Sequence, residues 1–289
     1  MKTLKKVLGL TLCAVVFLIS SVSVGAETIY TVDGYSYTLI DSSRACLVGW
    51  DNRSDCMYIP NKLGDVYMCA IGNSAFKDDN FIKSIDLTDT QRLNTIGNYA
   101  FANSILEGML TIPIKVSNIG VAAFENCKNI TSIQYSSNGG IVSAQCFKGC
   151  SSLEVANLTS HINRIDAYAF ENCTSLKEVT IPSSVTDINS NAFNGCGEFV
   201  IKGYRDSYAQ QFAKDKGLDF YILDPLYGDS NADGKVNILD VTAIQKYKIG
   251  EQELSEYGMR CADVNHDGSI TVRDATLIQM KLAKYDVDF

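Results

Sequence analysis

The stretch SLKEVTIPSSVTDINSNAFNGC, Ser175 to Cys196, is one turn of a pattern that fills the middle of the chain. In it Ile188 is followed five positions on by Phe193. The same pair occurs at Ile71/Phe76, Ile96/Phe101, Ile119/Phe124, Val142/Phe147 and Ile165/Phe170. The Phe-to-Phe step is 25 residues once and 23 residues four times. The residue before each Phe is Ala, except for Cys146. Cys127, Cys150, Cys173 and Cys196 stand three positions after a Phe, and Ile130, Leu153, Leu176 and Phe199 three positions further. SIQY, VANL and EVTI then read as short strands, with Ile112-Pro113 and Ile181-Pro182 as closures. A 23-residue unit cannot bury its own apolar face, but stacked units can, with each Phe landing on the next. The polar residues between the anchors, such as Asn103, Lys148 and Glu171, face outward.

This unit resembles the BspA-like, Treponema-type leucine-rich repeat over residues 45–223. The resemblance implies a solenoid of short stacked strands that serves as a binding scaffold. Its ends read as caps. Ile29 to Trp50 suggests a hairpin turning at Asp33-Gly34, and Ile59 to Ala70 is an enlarged approach to the first repeat. After Phe199 the period breaks. Asp206 or Ser207 caps a helix bearing Tyr208, Phe212 and Ala213, Gly217 stops it, and Leu218 to Leu223 forms a last strand.

Residues 1–26 are set apart. Lys2, Lys5 and Lys6 precede an apolar run from Val7 to Ile19, and Val24-Gly25-Ala26 offers small residues for cleavage. This reads as a secretory signal peptide, too short to span a bilayer. Leu12 before Cys13 argues against lipidation. Without the three signal lysines, 22 basic and 33 acidic residues remain, a net charge of −11. Such an anion is a poor ligand for nucleic acid or for an anionic lipid surface, and no membrane insertion is expected after cleavage. Nine cysteines remain, an odd number that does not suggest a disulfide framework. The periodic thiols read as a buried packing column rather than a metal ladder, and Cys46–Cys56 is the most plausible bridge.

Two acidic loops close the chain. Numbered from Asp229, positions 1, 3, 5, 9 and 12 are Asp229, Asn231, Asp233, Asn237 and Asp240. From Asp263 they are Asp263, Asn265, Asp267, Thr271 and Asp274. Gly234 and Gly268 hold position 6, and Lys235 and Ser269 at position 7 contribute backbone carbonyls. Calcium takes six to eight oxygens, and this spacing supplies them around a turn that glycine permits. Val236 and Ile270 at position 8 suit pairing of the loops. A helix follows each loop, carrying Val241, Ile244, Tyr247 and Lys248, and Ala275, Ile278 and Leu282. Glu251 to Tyr257 suggests a short helix between them.

No helix precedes the first loop, and position 12 is Asp rather than Glu, which departs from an EF-hand. The duplicated loop–helix unit from Gly228 resembles a type I dockerin. That resemblance implies two Ca²⁺ ions that fold the module, and docking to a cohesin on a scaffoldin or cell surface. The family's recognition positions fall on Ile238, Leu239, Gln245 and Lys246 in one half, and on Val272, Arg273, Gln279 and Met280 in the other. The likeness of the halves allows two docking orientations. A Ser-Thr pair is common in the family where Ile238-Leu239 and Val272-Arg273 stand here, so the resemblance leaves the cohesin type open.

The expected fold is therefore α+β. It comprises a signal peptide (1–26), a repeat solenoid with its caps (27–223), a linker (224–227) and a small all-α calcium-binding module (228–289). Dockerins usually accompany polysaccharide-degrading enzymes, which raises a catalytic alternative. His161 sits in a turn and His266 at position 4 of the second loop. Glu154 and Glu178 lie on neighbouring strands on one face, not across a cleft as a glycosidase requires. No nucleophile or metal-hydrolase motif occurs. The reading is a secreted, non-catalytic component with a strand face of Thr131, Ser132, Gln134, Glu154, Asn157, Lys177, Glu178 and Thr180 for a protein, glycan or cell. A carbohydrate-active enzyme, a peptidase inhibitor and an adhesin are the alternatives.

Overall fold

The structure is a computed structural model and describes residues 28–51, 54–87 and 90–287. The signal-peptide reading of residues 1–26 lies outside the described residues. The chain forms two compact units, one up to Tyr221 and one from Ile222.

The first unit opens with three strands, β1 (Ile29–Val32), β2 (Tyr35–Leu39) and β3 (Arg44–Trp50). β1 and β2 are antiparallel and turn at Asp33 and Gly34, both at positive φ, which is what a two-residue hairpin turn requires. Next come β4 (Cys56–Tyr58), β5 (Lys62–Leu63), β6 (Val66–Ile71) and β7 (Ser84–Asp86). From there each coil writes one short strand and one longer strand. These are β8 (Thr95–Ile96), β9 (Glu107–Ile112), β10 (Asn118–Ile119), β11 (Asn129–Tyr135) and β12 (Ile141–Val142). β13 (Val155–Leu158), β14 (Arg164–Ile165), β15 (Glu178–Thr180), β16 (Asp187–Ile188), β17 (Val200–Gly203) and β18 (Asp219–Ile222) complete the series. The longer strands form one sheet in the order β18-β17-β15-β13-β11-β9, with parallel pairing from β9 to β17. The short strands stack on another side of each coil, as β6-β8-β10 and as β12-β14-β16. Helix α1 (Tyr208–Lys216) closes the stack. Ser207 accepts from the Gln210 N–H at its start, and Gly217 ends it at φ 67°.

The core is the phenylalanine column. Rings 76/101, 101/124, 124/147, 147/170 and 170/193 stack with centroids 5.2, 5.4, 5.5, 5.5 and 5.1 Å apart. Each coil also places the second residue after Phe in the left-handed region. Asp78, Asn103, Asn126, Gly149, Asn172 and Gly195 hold that place, the residue types that tolerate it best. Their amides tie neighbouring coils: Asn103 Nδ2 donates to Asp78 Oδ1 at 2.7 Å and Asn126 Nδ2 to Asn103 Oδ1 at 3.0 Å.

The periodic cysteines are thiol donors, buried except for the half-buried Cys196. Cys127, Cys150, Cys173 and Cys196 each give the thiol hydrogen to the backbone carbonyl of Phe101, Phe124, Phe147 and Phe170, at 3.1–3.2 Å. Burial pushes the Cys127 thiol up to about 11 and raises the Cys146 and Cys150 thiols as well. The Cys46–Cys56 bridge expected from sequence is absent. Cys56 is an exposed free thiol on β4, which pairs with β7, whereas Cys46 lies in β3 of a different sheet. Thiolate is the reactive form, so a disulfide reagent at pH 8 is expected to label Cys56 within minutes and to spare Cys127, Cys146 and Cys150 until denaturant is added. Labelling of those three in the native protein would contradict the burial.

The second unit holds α2 (Ile238–Lys248), α3 (Glu256–Ala262) and α4 (Val272–Leu282). α3 lies later than the Glu251–Tyr257 segment expected from sequence. Ser255 accepts from the Gly258 N–H and sets the start, and Leu254 before it turns into the core. Val241, Ala243, Ile244, Leu254, Ala262, Val264, Ala275 and Ile278 form that core, with Val236 and Ile270 packed against it. Leu282, expected on the apolar side, is exposed.

Candidate metal loops, docking faces and strand face

The two loops are built alike. Asp229 Oδ1 and Oδ2 accept from the N–H groups of Asp233 and Gly234, both at 3.0 Å. Asp263 accepts from Asp267 and Gly268 at 3.2 and 2.9 Å. Asn231 and Asp233 bond to each other, as do Asn265 and Asp267. The last aspartate caps the helix that follows. Asp240 accepts from the Asn231 and Asn237 N–H groups, and Asp274 from Val264, Asn265 and Thr271. Capping boxes Asn237/Asp240 and Thr271/Asp274 thus start α2 and α4. Gly234 and Gly268 adopt φ 83° and 84°, and position 4 is also left-handed, at Ala232 and His266. This position-4 conformation was not legible from residue type.

Electrostatics point the same way. Asp229, Asp240 and Asp274 are fully buried. Burial raises the Asp229 carboxyl above its ordinary value, and the charges of Asp240 and Asp233 add to this. Among the described residues, no Lys or Arg forms an ion pair with any of the six loop aspartates. Buried anions without a counter-charge are costly. The donors here are all oxygens, and a hard dication answers both needs. Considering His, Cys, Asp and Glu alone, no cluster of three is gathered for a metal among the described residues. The set read from spacing therefore also draws on Asn231, Asn237, Asn265, Thr271 and the carbonyls of Lys235 and Ser269.

The first loop is further held by α3. Gly228 N–H donates to the Cys261 carbonyl at 2.8 Å, Leu226 N–H to the Tyr257 hydroxyl at 3.1 Å, and Arg260 Nη2 to the Leu223 carbonyl at 2.5 Å. Gly258 is required there, since a Cβ would stand 2.4 Å from the Ser230 carbonyl. Tyr227 meets the His266 ring edge-on at 4.4 Å. Ile238, Leu239, Gln245 and Lys246 on α2 are exposed, as are Val272, Arg273 and Gln279 on α4, while Met280 is half-buried.

Six copies of the BspA type leucine rich repeat region match residues 69–199, and the dockerin type I domain matches residues 227–283. The chain carries a BspA-type leucine-rich repeat region and a type I dockerin domain. A dockerin docks to a cohesin in a cellulosome-type arrangement, and type I dockerins typically bind calcium. Both domains are non-catalytic kinds, and both are typical of extracellular bacterial proteins. No curated protein matches the chain. Similar solved structures are bacterial repeat proteins. One from Eubacterium ventriosum shares 20% identity, with 59% of this chain and 50% of that chain covered and a TM-score of 0.49. The T. pallidum leucine rich repeat protein shares 20%, with 61% and 71% covered and a TM-score of 0.38. A leucine rich cell surface protein from Faecalibacterium prausnitzii shares 14%, with 64% and 97% covered and a TM-score of 0.33. The chain spans half the length of the Eubacterium protein.

On the repeat region, the strand residues singled out from sequence fall in rows. Gln134, Asn157 and Thr180 are directly cross-strand, and Lys202 extends their row. Ser132 and Glu178 flank Val155 in the next row. Thr131, Glu154 and Lys177 are linked through their backbones. Glu154 and Glu178 are each engaged by a lysine of the following coil, Lys177 at 2.7 Å and Lys202 at 2.6 Å. They pair with lysines along the sheet rather than face each other across a cleft. His161 is exposed in its turn. No helix among the described residues is long and apolar enough to cross a membrane.

Proposed function

We propose that this protein is a secreted, non-catalytic component tethered through its dockerin. Two Ca²⁺ ions hold the loops, one through Asp229, Asn231, Asp233, Lys235, Asn237 and Asp240, the other through Asp263, Asn265, Asp267, Ser269, Thr271 and Asp274. The first turns of α2 and α4 meet the cohesin of a scaffoldin or cell-surface protein, and the strand face is displayed to a protein, glycan or cell. The observation that carries this reading is the repeated placement of exposed pairs, Ile238-Leu239 and Val272-Arg273, directly after a loop that ends in a buried helix-capping aspartate. Ile238 and Leu239 are 57% and 58% exposed, a cost in water that a partner surface relieves. A cohesin panel probed with and without Ca²⁺ tests it. Capture is expected only with Ca²⁺. The pair I238D/L239D is expected to weaken it about tenfold or more, since two apolar contacts contribute on the order of 1–3 kcal/mol. Equal capture by that variant and by V272D/R273D, separately and together, would overturn the assignment of the docking faces.

A further inference from the structure

We infer that a second surface of the repeat region, away from the longer strands, binds a carboxylate-bearing polysaccharide such as a polyuronate. Its centre is Tyr67 on β6. Lys62 Nζ lies 4.2 Å from the centroid of the Tyr67 ring and the Arg92 guanidinium carbon lies 4.1 Å from it. Two cations held on one ring are pre-positioned by the attraction of its electron-rich faces. Register carries the row onward. β6, β8 and β10 are parallel and in step, and Ser117 and Asn118 both donate backbone N–H groups to the Asn94 carbonyl. Leu93 and Val116 are buried at matching places in successive coils, so Arg92 and Lys115 before them emerge side by side and exposed.

Lys62, Arg92 and Lys115 form no ion pair among the described residues, in a chain of net charge −8. The neighbouring Arg44, which pairs with Tyr67 across the β3–β6 register, is already engaged by Asp41 at 2.7 Å. Like charges left side by side are unfavourable until an anion joins them. Two or three residues further along the same coils lies a groove of about 240 Å³. Asn73, Thr95, Asn98, Ser117, Asn118 and Ser143 line it, and it holds no charged side chain.

Amides and hydroxyls beside a row of cations suit a polymer that carries both hydroxyls and regularly spaced carboxylates. Arg92 matches a carboxylate with two N–H groups, and Lys62 and Lys115 act as point charges. A single-stranded nucleic acid stacks its bases on free aromatic faces, and the Tyr67 ring is met by two cations instead. A membrane surface needs large exposed apolar anchors, and the isoleucines of the groove, Ile96, Ile119 and Ile141, are buried or half-buried. Repetition along the stack allows one chain of sugars to meet several coils at once.

The test uses the full, calcium-loaded protein and oligogalacturonate of fixed length, at constant free Ca²⁺, by titration calorimetry. Binding is expected for the free acid, absent for its methyl ester, and weakened by added NaCl. The variant K62Q/R92Q/K115Q is expected to lose about tenfold or more of the affinity, at a few tenths to 1 kcal/mol per exposed contact, while Q134A on the strand face keeps it. Should the triple variant fold differently by Trp50 fluorescence, R92Q alone is held to the same direction of change. No binding of the free acid, undiminished binding by the variant, or tighter binding of heparin fragments, single-stranded DNA or phosphatidylserine vesicles than of oligogalacturonate would overturn the inference.

Discussion

Removing calcium with EDTA is expected to unfold the dockerin and leave the repeat stack intact. Asp229, Asp233 and Asp240 in one loop and Asp263, Asp267 and Asp274 in the other are then left without a cation, and mutual repulsion opposes the buried positions of Asp229, Asp240 and Asp274. The apolar core of this unit is small, eight buried residues among the described ones. A domain of this size gains little from burial alone. Two sites filled a thousandfold above their dissociation constants contribute roughly 8 kcal/mol, comparable with the whole stability of an ordinary small domain, about 5–15 kcal/mol. The readouts separate cleanly. The chain has one tryptophan, Trp50, in the first unit, while α2, α3 and α4 supply most of the helix. EDTA should remove most of the helical circular dichroism and leave the Trp50 melting curve unchanged. A helical signal untouched by EDTA at low ionic strength would refute the calcium reading.

The second large effect is expected for Phe147→Ala. Phe147 is fully buried, stacks on Phe124 and Phe170 at 5.5 Å each, and meets Tyr135 edge-on at 6.0 Å. Truncation leaves a cavity between three rings, and large-to-small changes at such sites cost about 3–5 kcal/mol. Stability of a stack depends on its nearest-neighbour interfaces. Phe76→Ala, which breaks one ring stack, with Phe101 at the first coil, should therefore cost less. Urea melts followed by Trp50 fluorescence check both, and the calcium titration of F147A should match the parent. Equal losses for the two variants would argue against the column as the organising interaction.

Much of this was legible because periodicity and spacing are one-dimensional signals. The Phe column, the loop aspartates, the glycines at position 6 and the Ser207/Gly217 helix limits all follow from residue type at a fixed interval. What escaped depends on the third dimension. Lys177 and Glu154 are 23 residues apart and Lys202 and Glu178 are 24 apart, so their pairing exists only once coils are stacked. The Tyr67 cluster joins β5, β6 and the next coil, and no local motif announces it. The shift of α3 rests on Ser255 competing with Glu251–Glu253 as the starting point, which the burial of Leu254 decides. Cys46 and Cys56 are near in sequence but are carried into different sheets.

The coil spacing has an evolutionary consequence. The coils of Phe124, Phe147 and Phe170 offer their neighbours the same ring, the same thiol-to-carbonyl bond and the same parallel register. A gene duplication or deletion of one whole 23-residue segment among them would re-form these three contacts at the new junction. The lineage can thus lengthen or shorten its recognition area in discrete steps while the anchoring module stays as it is.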